Sequence, residues 1–401
     1  MFSYKINIQS LLFFLSCILI ISFLIGNAIK INDNFYLYRI VFLLSFFTII
    51  LLIIFRKLVI KKPKISNYLF FLIIFYFYSV FSLNWIANVS ESIIYNIYLG
   101  IGIFTTIILS LFIKTNYDLK KVFYIWFIIF LFQQVLAFLE IFYGIHISNS
   151  RYYEGIINVP TGFFNNENDF ATFLIISLSI LLFFINTRNI VFISVILLFT
   201  VFIIFETKSR TNIITLFLFL ILYIKIFNKK MLAFLIVILT LVLIVINNEP
   251  FFNLLEIDKI INSADESISV RYNNIVLSIS AVLDSYTFGI GAGGMENYIS
   301  KNSFNNSGIT AVHNWYFEIL GNFGLIIFLG YLIFKVFIIY SLYFIMKKAN
   351  DKSIEKKISI HLLFSNVGFL FGCISMSSVI HFLPYWILLG ITLAFININR
   401  Q

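Results

Sequence analysis

Apolar residues run along this chain in long blocks separated by short polar stretches, a period matching neither a soluble amphipathic helix nor an alternating strand. A helix that crosses a bilayer needs about 20 mostly apolar residues at about 1.5 Å rise each. Runs that meet or approach this lie at roughly 11–29, 38–55, 68–84, 94–113, 122–143 and 169–185. A second set follows at roughly 190–205, 211–227, 231–246, 318–346, 358–377 and 382–398. They predict an all-α polytopic membrane protein with about 12 transmembrane helices, a single integral membrane domain over residues 1–401. The first run follows only Lys5 and meets Ile29–Lys30 without a small-residue cleavage site, so it reads as an anchor rather than a removed signal.

Composition sharpens the picture. Charged residues make up 11% of the chain, against about 25% in soluble domains, which excludes a soluble enzyme, a disordered chain and a nucleic-acid binder. Cys17 and Cys373 both sit in apolar runs and offer neither a disulfide framework nor a metal cluster. The net charge of +10 has a topological cause. With the N-terminus in the cytoplasm, alternate connections collect 19 Lys and Arg against three acids, Asp118, Asp351 and Glu355. The other side holds eight basic residues and at least thirteen acids. By the positive-inside rule this puts both termini of a multi-pass membrane protein in the cytoplasm.

Two outer connections are long, about 144–168 and about 247–312. The second, a large extracytoplasmic loop, contains Ser263-Ala264-Asp265-Glu266, a capping-box pattern. Ile268, Tyr272, Ile275, Val276, Ile279, Val282 and Leu283 then share one face, predicting an amphipathic helix at about 264–284 along the membrane surface or against the bundle. Arg271 at the edge of that stripe either reaches an interfacial phosphate or snorkels. Gly289-Ile290-Gly291-Ala292-Gly293-Gly294 lacks a following Gly-Lys-Ser/Thr and reads as a tight turn rather than a phosphate cradle. The loop closes on Val312-His313-Asn314-Trp315-Tyr316. A neutral imidazole there suits general-base work, with a hydrogen-bonded structural histidine as the alternative.

Lys208 and Arg210 stand in the short outer turn 206–212, against the charge bias, and Arg210 opens an otherwise uncharged helix. Cations retained at a helix N-terminus on the disfavoured side indicate an anion site. In Pro160-Thr161-Gly162-Phe163-Phe164-Asn165-Asn166-Glu167-Asn168 the expectation is a helix entry capped by Asn168 or Asp169. Away from the ends of the spans only Glu140 and Lys335 carry charge. Glu140 is expected to reach the interface, and Lys335 either to snorkel or to pair within the bundle. Neither a chain of buried acids nor paired broken segments is present, which weakens a proton-coupled transporter.

Taken in order, Thr161–Asn168, Ser209-Arg210, Arg271, Gly289–Gly293, His313-Asn314-Trp315-Tyr316 and Gly321-Asn322-Phe323-Gly324 resemble the O-antigen ligase and O-antigen polymerase-like family of bacterial membrane glycosyltransferases, over roughly residues 160–330. Thr211 departs from the family's usual small residue after Ser-Arg. The resemblance implies a type-C glycosyltransferase-like bundle with outer-face catalysis and an undecaprenyl-diphosphate-linked glycan donor. The acceptor is a lipid-linked glycan in a polymerase, or lipid A–core in a ligase. His313 is then the base, Arg210 and Arg271 hold the diphosphate with support from Lys208, and Asn314 and Glu318 are supporting candidates. No metal, cofactor or nucleic acid is implied; membrane lipids and a chain-length regulator are the further partners. The expected reaction is metal-independent, inverting polymerisation of lipid-linked repeat units into a surface polysaccharide of the O-antigen or capsule type. Ligation to lipid A–core is its near rival, and transport of a polysaccharide lipid is the rival from another class.

Overall fold

The computed structural model describes residues 8–32, 35–59, 62–155, 157–185, 190–226, 266–302 and 310–400. The first crossing elements are α1 (Ile8–Ile25), α2 (Leu37–Ile54), α3 (Ser66–Phe81), α4 (Val89–Phe112) and α5 (Asn116–Tyr143). A short hairpin, β1 (Lys30–Asn32) with β2 (Phe35–Tyr36), joins α1 to α2. Next come α6 (Glu167–Phe183), α7 (Ile190–Glu206) and α8 (Arg210–Ile226). After them follow α9 (Glu266–Asp284), α10 (Gly294–Asn302), α11 (Trp315–Lys348), α12 (Ile354–Gly372) and α13 (Leu383–Asn399). Eleven of the twelve expected runs coincide with helices. The run at 231–246 and the capping serine Ser263 lie outside the described residues. Among the described residues six helices, α1 to α5 and α11, are long and apolar enough to cross a bilayer, while α7, α8 and α13 are shorter apolar helices. The chain is a multi-pass, α-helical membrane protein.

The helix ends follow local chemistry. Asn88, Thr115 and Ser353 accept hydrogen bonds from the first turns of α4, α5 and α12 through their side chains, satisfying amides that have no partner inside the helix. Gly144, at φ 65°, ends α5 in the left-handed conformation. Packing is tightest where small residues let backbones approach. α13 lies along α4, where a Cβ on Gly102 would overlap the Trp386 indole and Thr106 Oγ1 donates to the Trp386 carbonyl at 3.0 Å. α6 packs on α12 and is buried on all sides from Phe170 to Phe183. Large apolar side chains such as Phe47, Phe70, Phe132, Ile326 and Val336 remain exposed on the outside of the bundle, as expected where the solvent is lipid.

Polar ties gather the connections into two ends. At the Lys- and Arg-rich end Lys64 Nζ donates to the Arg400 carbonyl at 2.6 Å, and Asn116 joins Glu355 and Asn399. At the opposite end, the outer one of the charge-bias reading, Trp85 Nε1 donates to the Gly289 carbonyl at 3.0 Å and Asn166 reaches Ser377 at 3.1 Å.

Most of the apolar stripe of α9 is exposed, with Tyr272 and Leu283 each at 70%, while Val282 is buried. Its opposite, smaller and more polar face, Val270, Asn274, Ser278 and Ala281, packs toward α11. The cap of α6 is Asn166, whose side chain accepts from the Asp169 amide, rather than Asn168 or Asp169. Glu140 is buried at 1% exposure instead of reaching the interface. Lys335 is also buried, inside the bundle, with its ammonium 5.2 Å from the Phe369 ring and 5.1 Å from the Tyr385 ring.

Candidate functional site

The loop 144–166 folds back on α5 because a buried carboxylate organises it. Glu140 accepts from the Thr161 and Gly162 amides and from Thr161 Oγ1, all at 2.9 Å, and pairs with His146 Nδ1 at 3.1 Å. Gln133 accepts from the Phe163 amide at 2.8 Å. Gly162, at φ 56°, leaves no room for a Cβ against Gln133. A turn that spends its amides on one carboxylate is rigid, and it carries Arg151 to the outer end. There Arg151 pairs with Glu167 at 2.6 Å, at the start of α6.

A second polar knot fixes Arg210. Ser209 Oγ donates to Asn168 Oδ1 at 2.8 Å, and Asn212 donates to the Asn168 carbonyl and to Ser375 Oγ, both at 3.3 Å. Thr172 Oγ1 closes the knot on Asn212 Oδ1. Arg210, between Ser209 and Asn212, is exposed at the first residue of α8. Lys208 takes φ 55° in the same turn, and its charge acts on Glu206.

The segment 373–378 links these pieces to α11. Besides Ser375 with Asn212 and Ser377 with Asn166, the Cys373 carbonyl accepts from the Trp315 amide at 3.2 Å. Ser378 donates to Glu318 Oε1 at 2.8 Å. Nothing in the sequence pattern singled out Ser375, Ser377 and Ser378, because they lie at the end of an apolar run and acquire meaning only through partners far away in the chain.

His313 precedes α11 in an extended segment. Asn274 of α9 donates to the Ala311 carbonyl at 2.9 Å, and Val312 enters a small core with Ala281, Met295 and Ile299. His313 itself takes φ 54°, and its Nδ1 is buried without a hydrogen-bond partner. A non-glycine residue held in the left-handed region at a buried position is a mark of functional sites. Burial first, then the charges of Arg271 and Arg151, push the imidazole down to about 4. Arg271 and His313 therefore stand within electrostatic reach of each other, together with Arg151, a cation the sequence reading did not select. It could have been noticed there as one more arginine against the charge bias.

Asn314 caps α11, accepting from the Tyr316 and Phe317 amides. Glu318 is bonded to Tyr95 and Ser378. The glycine run is a turn: Ile290 and Gly291 amides donate to the Gly321 and Asn322 carbonyls at 3.0 and 2.9 Å, and the Ala292 amide to Ser82. These amides are spent on protein partners, so the turn does not cradle a phosphate. The motif at 289–293 thus meets the one at 321–324, where Gly324 breaks α11 at φ 74°.

Residues 173–332 match the family described as O-antigen ligase. The chain is also 29% identical over 358 residues to the teichuronic acid biosynthesis protein TuaE of Bacillus subtilis (strain 168), spanning 84% of this chain and 73% of that one. The O-antigen ligase family match contains Arg210, Arg271 and His313, whereas Arg151 and the Glu140-organised loop lie before it.

Proposed function

We propose that this protein is a membrane glycosyltransferase of polysaccharide biosynthesis that joins lipid-linked repeat units on the outer face of the cytoplasmic membrane, both of its termini lying in the cytoplasm. The carrying observation is His313 at one end of the bundle, held at φ 54° with its buried Nδ1 unpartnered and within electrostatic reach of Arg271 and Arg151. The similarity to a teichuronic acid biosynthesis protein favours an assembly role over transport.

The chemistry follows from those residues. An acceptor hydroxyl oxygen attacks the anomeric carbon of the donor sugar from the face opposite the diphosphate. The new C–O bond forms as the bond to the diphosphate oxygen breaks, and the leaving group departs with that electron pair. The hydroxyl proton passes to His313, a general-base effect of about 10² to 10⁴ in rate. Arg271 and Arg151, which act on His313, together with Arg210 at the start of α8, supply the guanidinium groups to stabilise the growing negative charge on the diphosphate. A displacement of this kind inverts the anomeric centre. The donor is an undecaprenyl-diphosphate-linked glycan and the acceptor a second lipid-linked glycan, in a type-C glycosyltransferase-like bundle.

The test is polymer formation from purified lipid-linked repeat unit in proteoliposomes, comparing the wild type with His313→Ala and Arg271→Ala. Long polymer from the wild type and its loss in both variants supports the reading. Transfer only to lipid A–core replaces polymerase by ligase, a reading the family's own description favours. Donor crossing the bilayer with no new glycosidic bond replaces both by transport.

A further inference from the structure

A cavity of about 150 Å³ opens beside the segment that leads into α11. Ala311 and Val312, the two residues before His313, form one wall, and Ser377 and Ser378 another. The remaining polar lining differs in sign from the arginine side. Glu91 and Glu296 stand at its mouth, and Tyr95, Tyr98 and Glu318 line it more deeply. Glu318 is 5% exposed; its Oε1 is taken by Tyr95 at 3.0 Å and Ser378 at 2.8 Å, while its Oε2 has no hydrogen-bond partner. A buried carboxyl oxygen left without a partner beside a cavity is open to one more hydrogen bond.

Among the described residues no Lys or Arg lines this cavity. Arg39 stands behind Tyr98, bonded to its hydroxyl with the guanidinium 4.9 Å from its ring centre. His381, also in the lining, is pushed down to about 4 by burial and then by Arg39, and is neutral at pH 7. The cavity therefore carries carboxylates without an opposing cation of its own. Among the described residues no group of three or more His, Cys, Asp or Glu is placed to hold a metal ion. Carboxylates, hydroxyls and phenol rings together are the chemistry that binds sugar hydroxyls.

We propose that this cavity is the subsite for the acceptor's terminal sugar, taking a neutral, hydroxyl-bearing ring and rejecting an anionic one. It rests on the glycosyl-transfer reading above. It divides the site by charge: guanidinium groups for the donor's diphosphate and carboxylates for the hydroxyls of the acceptor. A uronate ring would bring its own carboxylate against Glu91 and Glu296 at the mouth, a like-charge contact that specificity can exploit.

The test uses the full-length protein in detergent with three probes, the methyl glycosides of a neutral hexose, an N-acetylhexosamine and a hexuronic acid. Saturation-transfer NMR reads binding without requiring turnover. The two neutral glycosides should bind to the wild type and to Arg271→Gln, and the uronate to neither. Glu318→Gln, which keeps the shape but replaces one carboxyl oxygen by an amide NH2, should weaken neutral binding by about tenfold, the loss expected for one hydrogen bond. Glu296→Gln, at the exposed mouth and so tolerant of folding, should admit the uronate. Equal binding of all three glycosides, or neutral binding indifferent to both glutamine variants, overturns the subsite. Charge-selective binding without any glycan transfer by the wild type overturns the enzymatic reading while leaving the subsite standing. Efficient transfer without that selectivity does the reverse.

Discussion

Arg271 of α9 acts electrostatically on His313, forty-two positions later in the chain, and together with burial it holds that imidazole in its neutral form. A group whose folded pKa is about 4 against an ordinary value near 6.5 is a base throughout the neutral range. The acid limb of kcat/KM should therefore fall near pH 4 rather than 6.5, since that limb reports the free enzyme. Arg271→Gln should move it upward, though not fully to 6.5 because burial is the larger cause. The corresponding limb of kcat should lie higher, because a bound diphosphate places negative charge beside the ring. An acid limb unmoved in Arg271→Gln would sink the pairing.

The same shift makes a stability prediction. Between pH 6.5 and 4 the unfolded chain takes up a proton at this residue and the folded chain does not, so folding loses stability as pH falls through that window. His313→Gln should remove this share of the pH dependence in thermal unfolding, leaving the curve flatter there.

Gly324 should tolerate no side chain. It sits at φ 74°, and a Cβ would overlap the Thr287 carbonyl oxygen where the 285–289 turn meets α11. Gly324→Ala combines left-handed strain of about 1 to 2 kcal/mol with a backbone collision that has no flexible side chain to absorb it. A clear drop in the unfolding temperature, larger than for Gly330→Ala, where the neighbour is the movable Phe71 ring, is the expected result.

Glu140→Ala should loosen the loop that carries Arg151. It strands the Thr161 and Gly162 amides and the Thr161 hydroxyl, at about 1–3 kcal/mol for each buried group left without a partner. Hydrogen exchange at Thr161 and Gly162 should accelerate by orders of magnitude while amides in the middle of α13 keep their protection.

Asn212→Leu should displace Arg210 without touching the base. Asn212 holds Asn168 and Ser375, and Thr172 holds Asn212. Transfer should fall by about tenfold or more through misplacement of a charge-stabilising group, with the acid limb of kcat/KM unchanged.

The sequence by itself determined the solvent and the helices. A bilayer demands long apolar helices because backbone groups must be satisfied within each segment, so eleven expected runs reappear as helices within a few residues. Its motif residues Arg210, Arg271 and His313 were also legible, since cations on the disfavoured side and a histidine entering a span stand out against apolar neighbours. Only the tertiary structure decided which partners those residues have. Arg151 joins His313 because Glu140 folds its loop back, and the polar face of α9 turns inward because lipid, not protein, is the better solvent for its apolar stripe. Glu318 parts from the arginines and enters a carboxylate-lined cavity. Hydrogen bonds and Coulomb forces act through a few ångströms of space, and sequence separation carries no record of that distance.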